Sequence, residues 1–472
     1  MLLRILIIVL LLLGHTSAVS VEKVAPNKQV FDSKRDLRNA ERHQQPIHEA
    51  GGMDDKSFNS VVWALNVGGH AYLGADGIEY QADNSVGHTL LGFAIKGSQD
   101  DSVLKTYRAG PLEIGKSIEN GRYDLMFKFV EPEDSKPGGR VFNVLVEGER
   151  VIANLDILLA RDGNPRSSLT RMIPNVDVND GRLDILLEPV VGEPILSAII
   201  VQTKTKRGEV WRQVWGDEFD YTGPPDPKKW SFNVWPAGKV NGEEQAYTAR
   251  QKNVRVEQGR LVIEAHKEEY AKASYTSGRI HSARKGDLLY GRIEVRAKLP
   301  AGQGTWPALW MLPTAPFTYA TTCTEGADWQ GSSVCDAWPN SGEIDIMEHV
   351  GYDMNRVHGT VHTKSYYWVN GEQRKASVEA EMVDQRFHVY AMEWSPDRID
   401  VFYDDAIYFT YINDGGDWRS WPFDHPFHLV MNVAVGGGWG GAGGPTDASA
   451  FPTAMLVDYV RLYQKTENKA AN

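Results

Sequence analysis

Three carboxylates are concentrated in one short apolar run, Gly342-Glu343-Ile344-Asp345-Ile346-Met347-Glu348-His349. Ile344 and Ile346 favour strands, so ionisable neighbours there need a chemical reason. Acids held together repel one another and split their pKa values, which separates a nucleophile from a proton donor. Alternation along a strand puts Glu343 and Asp345 on one face and Glu348 on the other. Two readings follow. A regular strand turns an acidic face to water and leaves Glu348 behind. A β-bulge near Ile346-Met347, with Met347 as the spacer, brings all three acids together.

The elements that must position this run are strands. From Trp211 to Gln464 alternating segments follow one another, such as Gly291–Leu299, His388–Trp394 and Val457–Tyr463, with no sustained helical period. That pattern predicts two large stacked antiparallel sheets with a cleft on the concave face. Further upstream, from about Phe58 to Lys204, shorter strand-like runs alternate with Gly-rich and Asp-Gly turns, the pattern of a β-sandwich. The fold class is therefore all-β, in two domains at 58–204 and 209–465.

Around the acids, Trp306-Pro-Ala-Leu-Trp310-Met-Leu-Pro313, Trp215-Gly-Asp-Glu-Phe-Asp220, Thr276-Ser-Gly-Arg279-Ile280, Tyr290-Gly-Arg-Ile-Glu-Val-Arg296, Asn432-Val-Ala-Val-Gly-Gly437 and Val457-Asp-Tyr-Val-Arg461 occur in order. Together with Glu-aliphatic-Asp-aliphatic-Met-Glu, they resemble glycoside hydrolase family 16, and within it the laminarinase group of endo-β-1,3-glucanases. The resemblance implies a concanavalin-like β-jelly-roll. It implies Glu343 as nucleophile, Glu348 as general acid and base, and Asp345 as the group that orients Glu343. Carboxyls roughly 5 Å apart imply retention of configuration.

Sugar chains need apolar platforms and hydroxyl-binding groups. Trp306 and Trp310 share a strand face, and Trp439 lies in the glycine-rich run 436–444, expected as a mobile rim loop. Arg279 and Asn432 are candidate hydroxyl binders, and His362 is the histidine expected beside the acids. Trp310 can also be read as core, and His358 as structural. Between Pro313 and Trp338 the chain is longer than the resemblance requires, and this insertion is expected to narrow one end of the cleft.

The upstream half resembles a malectin-like carbohydrate-binding domain, through Asn66-Val-Gly-Gly69, Gly74–Asp83, Arg140–Gly148, Asn154–Ile157 and Asp180–Ile185. The resemblance implies a sandwich that holds glucose-containing sugars with loop aromatics, here Tyr72, Tyr80 and Tyr107. The alternative is that these tyrosines complete the sandwich or its turns. Gly192-Glu193-Pro194 departs from the family's acidic loop.

The rest of the sequence sets bounds. Residues 1–18 read as a secretory signal and 19–57 as a polar extension, so the mature protein is expected to be secreted, with no membrane span. A net charge of −12 with no basic cluster excludes a nucleic-acid partner. Cys323 and Cys335, the two cysteines, are expected to pair in an oxidising compartment. The family 16 resemblance further implies a structural calcium held by Glu218, a carbonyl near Gly259, and Asp458. No cofactor is expected for catalysis. The expectation is a monomeric, secreted, retaining endo-hydrolase of β-1,3-glucan that also accepts mixed β-1,3/1,4 linkages. A non-catalytic glucan-recognition protein and a transglycosylase are the alternatives on the same fold.

Overall fold

The computed structural model describes residues 57–90, 93–161, 163–206 and 211–465. The expected signal (1–18), all but the last residue of the extension (19–57), and residues 207–210 between the domains lie outside the described residues. Among those described, strands dominate and helices are limited to single turns.

The upstream domain is built on β1 (Ser57–Asn66), β2 (Leu112–Ser117), β3 (Gly121–Val130), β4 (Val141–Val146), β5 (Glu149–Leu155), β6 (Ser168–Val178), β7 (Arg182–Val191) and β8 (Ala198–Lys206). Strand alternation explains its core. Leu125, Phe127 and Phe129 of β3 point to one side, where Phe142 and Val144 of β4 and Leu183, Ile185 and Leu187 of β7 meet them. β2-β7-β4-β5 form one sheet of this sandwich, and β6-β3-β8-β1 the other.

The second domain carries β9 (Arg279–His281), β10 (Gly291–Lys298), β11 (Thr305–Pro313), β12 (Glu343–Glu348), β13 (Arg356–His362), β14 (Arg374–Glu379), β15 (His388–Trp394), β16 (Arg398–Tyr403), β17 (Ala406–Ile412), β18 (Phe427–Val435) and β19 (Thr453–Lys465). One sheet runs β9-β18-β11-β12-β13-β14, and the facing sheet includes β19-β10-β15-β16-β17. Ile293, Val295 and Ala297 from β10 meet Leu309 and Met311 from β11 in a single apolar layer. The Ile, Val, Leu and Met side chains among them each contribute roughly 1.5–3 kcal/mol when fully buried.

The two domains share a sheet. β6 pairs in parallel with β14, Arg171 opposite Ser377 and Met172 opposite Val378. Met172 is fully buried in the core of the second domain, not of its own. Arg171 donates to Ser377 Oγ. The Gln99 amide also bridges the junction, donating to the Ile412 carbonyl at 2.6 Å and accepting from the Ile412 N–H at 3.0 Å.

Candidate active site

The strand β12 solves the parity problem by bulging. Asp345 stands opposite Thr360 and Glu348 opposite His358, so three steps on β12 match two on β13. On the other side, Met347 is opposite Leu309 and Asp345 opposite Trp310, which leaves Ile346 without a register partner. The unpaired residue is thus Ile346, where the sequence pointed to Met347 as the spacer. Ile344, Ile346 and Met347 are all fully buried, so Glu343, Asp345 and Glu348 emerge on the same face. The bulge's orphan carbonyl is satisfied: the buried Tyr408 hydroxyl donates to Ile346 O at 2.7 Å.

Each terminal acid is held by an indole. Trp338 Nε1 donates to Glu343 Oε2 at 2.9 Å, and Trp306 Nε1 donates to Glu348 Oε1 at 3.1 Å. His362 Nε2 lies 3.3 Å from Asp345 Oδ2 and 3.7 Å from Glu343 Oε1. Asp345 and Glu343 both lie against His362 on this face. The Asp345 side chain is 3% exposed and that of Glu343 14%, so ionising either one is costly.

Burial pushes Glu343 well above the usual carboxylate range, with Asp345 adding to it. Burial and then Glu348 do the same to Asp345. Glu348 is raised by burial, against the opposing pull of His362, the Trp306 N–H and Lys375. His358 is pushed well below the usual imidazole range by burial, which leaves it neutral. This is a set of acids that cannot all ionise at once. The donor atoms of Glu343, Asp345 and His362 lie within 4.8 Å of one another, a set that a divalent cation could also accept.

Flanking residues sort into platforms and supports. Trp306 and Trp310 are partly exposed on the acid-bearing side of β11, whereas Leu309 and Met311 face the core, so Trp310 is not a core residue. Arg279 and Asn432 are brought to the site and are buried, each with hydrogen bonds to its neighbours. The Arg279 guanidinium lies 4.4 Å from the Trp235 ring centre and 4.6 Å from that of Trp310. It donates to Asn233 and to Gln330, at 3.0 and 2.8 Å. Asn432 accepts from Trp310 Nε1 at 2.7 Å and donates to Tyr247. Both also hold Trp310 in place.

Trp439 packs edge-on against Trp306 and His358, at 5.7 and 5.0 Å. Its glycine-rich segment forms a packed turn, Gly437–Gly440, not an open loop. Gly436 enters that turn at φ 64°, where an added Cβ would lie 2.4 Å from Glu244 Oε1, so only glycine fits.

Sequence reasoning missed Trp338, Trp235, Gln330 and Tyr408. Trp338 sits five residues before Glu343, a spacing with no strand or helix meaning. Its extended φ/ψ of −100° and 134° turns the ring back onto the acid. Gln330 belongs to the 314–337 insertion, which reaches the Arg279 end of the cleft, and the Cys323–Cys335 disulfide closes that insertion.

The calcium ligands do not fit a cation. Glu218 forms a two-pronged pair with Arg461 at 2.8 Å, and Asp458 pairs with Arg296 at 2.5 Å. Arginine already neutralises both acids of the expected donor set.

In the upstream domain Tyr80 is 2% exposed in an apolar cluster, its hydroxyl shared between Asp76 at 2.9 Å and Lys128 at 3.1 Å. It packs on the outer face of the β6-β3-β8-β1 sheet, opposite the sandwich core, and offers no sugar platform. Tyr72 is tied to Asp100 at 3.0 Å and packs on the same cluster. Tyr107, partly exposed, stacks on His88 at 5.2 Å.

Comparison with known proteins agrees with this geometry. The model for "Glycosyl hydrolases family 16" matches residues 241–461, and that for "Malectin domain" matches 61–203. A beta-glucanase of Rhodothermus marinus is 47% identical over 292 residues, which cover 61% of this chain and 95% of that protein. A glucan endo-1,3-beta-glucosidase of Cryptopygus antarcticus is 33% identical over 268 residues, covering 54% and 92%. The X-ray structure of the laminarinase from Rhodothermus marinus superposes with a TM-score of 0.50 at 48% identity, over 55% of this chain and all of that one. With its paired, indole-held acids on a bulged strand, behind a malectin domain, the chain belongs to the glycosyl hydrolases of family 16.

Proposed function

We propose that the chain is a secreted, retaining hydrolase of internal bonds in β-1,3-glucan, with mixed β-1,3/1,4-glucan as a second substrate. The observation that carries this reading is the pair Glu343 and Glu348 on one face of β12, each held by its own indole N–H. Glu343 attacks the anomeric carbon as Glu348 protonates the departing glycosidic oxygen. The glycosyl–Glu343 ester forms and the leaving sugar departs with that proton. Glu348, now ionised, takes a proton from water, whose oxygen attacks the same carbon and frees Glu343. Asp345, between the two on the same face, orients the Glu343 carboxylate and tunes the proton balance of the pair. Acid, nucleophile and water complete the cycle, so the chemistry calls for no cofactor.

Non-catalytic glucan recognition fits poorly with acids this buried and this close, because that arrangement costs stability without serving binding. Transglycosylation uses the same first step and differs only in the acceptor. The test is one digestion panel of laminarin, mixed-linkage glucan, agarose and carrageenan, with wild type and Glu343→Gln. Release from laminarin that disappears in the variant is expected. No release from laminarin by wild type would overturn the reading.

A further inference from the structure

The residues opposite Glu348 form a straight row across the sheet. Glu348 faces His358, His358 faces Ser377, and Ser377 faces Arg171 of the malectin domain. Register partners share a face, so the acid-bearing face of β12 continues over β13 and β14 onto β6. On β6 that face carries Leu169, Arg171 and Ile173 by alternation. Leu169 and Ile173 lie in the malectin core completed by Phe142, Val144 and Leu183 of the other sheet. The second sheet of the malectin sandwich therefore stands on the cleft side of the shared sheet, beginning one strand beyond β14. Three strand spacings, roughly 14 Å, separate the catalytic strand from β6.

A sugar chain in this cleft must run across the strands. Glu343 and Glu348 are separated along β12, and attack and protonation come from opposite sides of the scissile bond, so the chain crosses the line between them. In one direction it passes Trp310, Arg279 and Trp235, towards the insertion. In the other it passes β13 and β14 and meets the malectin sandwich.

We propose that the malectin domain is the end wall of the catalytic cleft, so that the bond cut is chosen by its distance from one end of the glucan chain. The junction is built to hold such a wall: strand pairing, the buried Arg171, the Gln99 clamp on Ile412, and the Gly97 N–H on Glu372 at 3.3 Å fix the two domains together. A few sugar rings fit between the acids and the wall, and that number sets the length of one product.

This rests on the β-1,3-glucanase reading, and the experiment separates the two. The full chain is given laminarioligosaccharides of increasing length in ¹⁸O water, and early products are read by mass spectrometry. The heavy oxygen marks the fragment from the non-reducing side. One fragment, marked or unmarked, is expected to keep the same short length from every substrate. It should also keep that length in Gln330→Ala, which alters the opposite end. Fragments that both broaden as the substrate lengthens would overturn the proposal alone. A constant fragment that Gln330→Ala abolishes would assign the wall to the insertion, and would overturn it too. No hydrolysis of any oligomer would overturn the glucanase reading and this proposal with it.

Discussion

Aromatic side chains mark both halves of the molecule, and what their polar tips do tells the halves apart. In the acid-bearing site, the indole N–H groups of Trp306 and Trp338 end on the clustered carboxylates while parts of the rings stay open to a ligand. In the malectin domain, Tyr80 and Tyr72 spend their hydroxyls on the domain's own acids and turn their rings inward. Tyrosine in a sandwich is as good a space-filler as a sugar platform, and residue type alone does not separate the two roles. Tryptophan beside a buried acid is less ambiguous, because its one donor must find a partner once water is excluded.

The sharpest break between the halves comes from the acids. Glu343→Gln and Glu348→Gln should each lower kcat on laminarin by on the order of 10²–10⁴-fold, measured as reducing-sugar release, while Tyr80→Phe leaves kcat unchanged. Stability should move the other way. Burial raises the Glu343 carboxyl, so the stability it contributes is present below the ordinary carboxylate range and is lost as pH rises through the raised value. Glu343→Gln should then raise Tm at pH 7 by about 2–4 °C and change it little at pH 4. Equal shifts at both pH values would argue against a raised Glu343.

Tyr80→Ala tests the other half. It should cost about 3 kcal/mol in denaturant unfolding through the cavity it leaves. Trp338→Phe, by contrast, should lower kcat roughly tenfold, the worth of one charge-assisted hydrogen bond, with little change in unfolding. If Trp338→Phe behaves like Tyr80→Ala, the distinction between platform and filler fails. A smaller effect is expected from Tyr408→Phe, which strands the Ile346 carbonyl of the bulge and should cost about 1–3 kcal/mol; unchanged stability would mean that the bulge needs no such support. Smallest of all, chelation with EDTA should shift Tm by less than about 1 °C, a fraction of the effect of one lost interaction, because Arg461 and Arg296 already neutralise Glu218 and Asp458. A larger fall would restore a cation to that face.

Much of the fold was legible in the sequence because alternation is a local signal. Ile293, Val295 and Ala297 announce their sheet face without any neighbour's help. The acids were legible for a different reason: three carboxylates among aliphatics violate the local pattern, and the violation locates the site. What the pattern could not separate was Ile346 from Met347 as the odd residue, since both are apolar and both are buried. Only the pairing with Leu309 distinguishes them. The neighbours of Arg279 and Asn432 were hidden for a similar reason: Trp310, Trp235 and Gln330 arrive from distant segments to stack on Arg279 or hydrogen-bond to one of the two.

The sequence by itself determined the two all-β halves, the three acids, their shared face once a bulge is allowed, and the cysteine pair. The tertiary structure alone decided that β6 joins β14, that Tyr80 of the malectin half is internal, and that its sandwich stands on the acid-bearing side of the shared sheet. The reason is physical. Side-chain alternation and charge spacing are properties of one segment, whereas strand partners and the competition for a donor or a lone pair depend on residues hundreds of positions away. Arg171 and Ser377 are unremarkable in their own segments, and only their pairing joins the malectin half to the acid-bearing sheet.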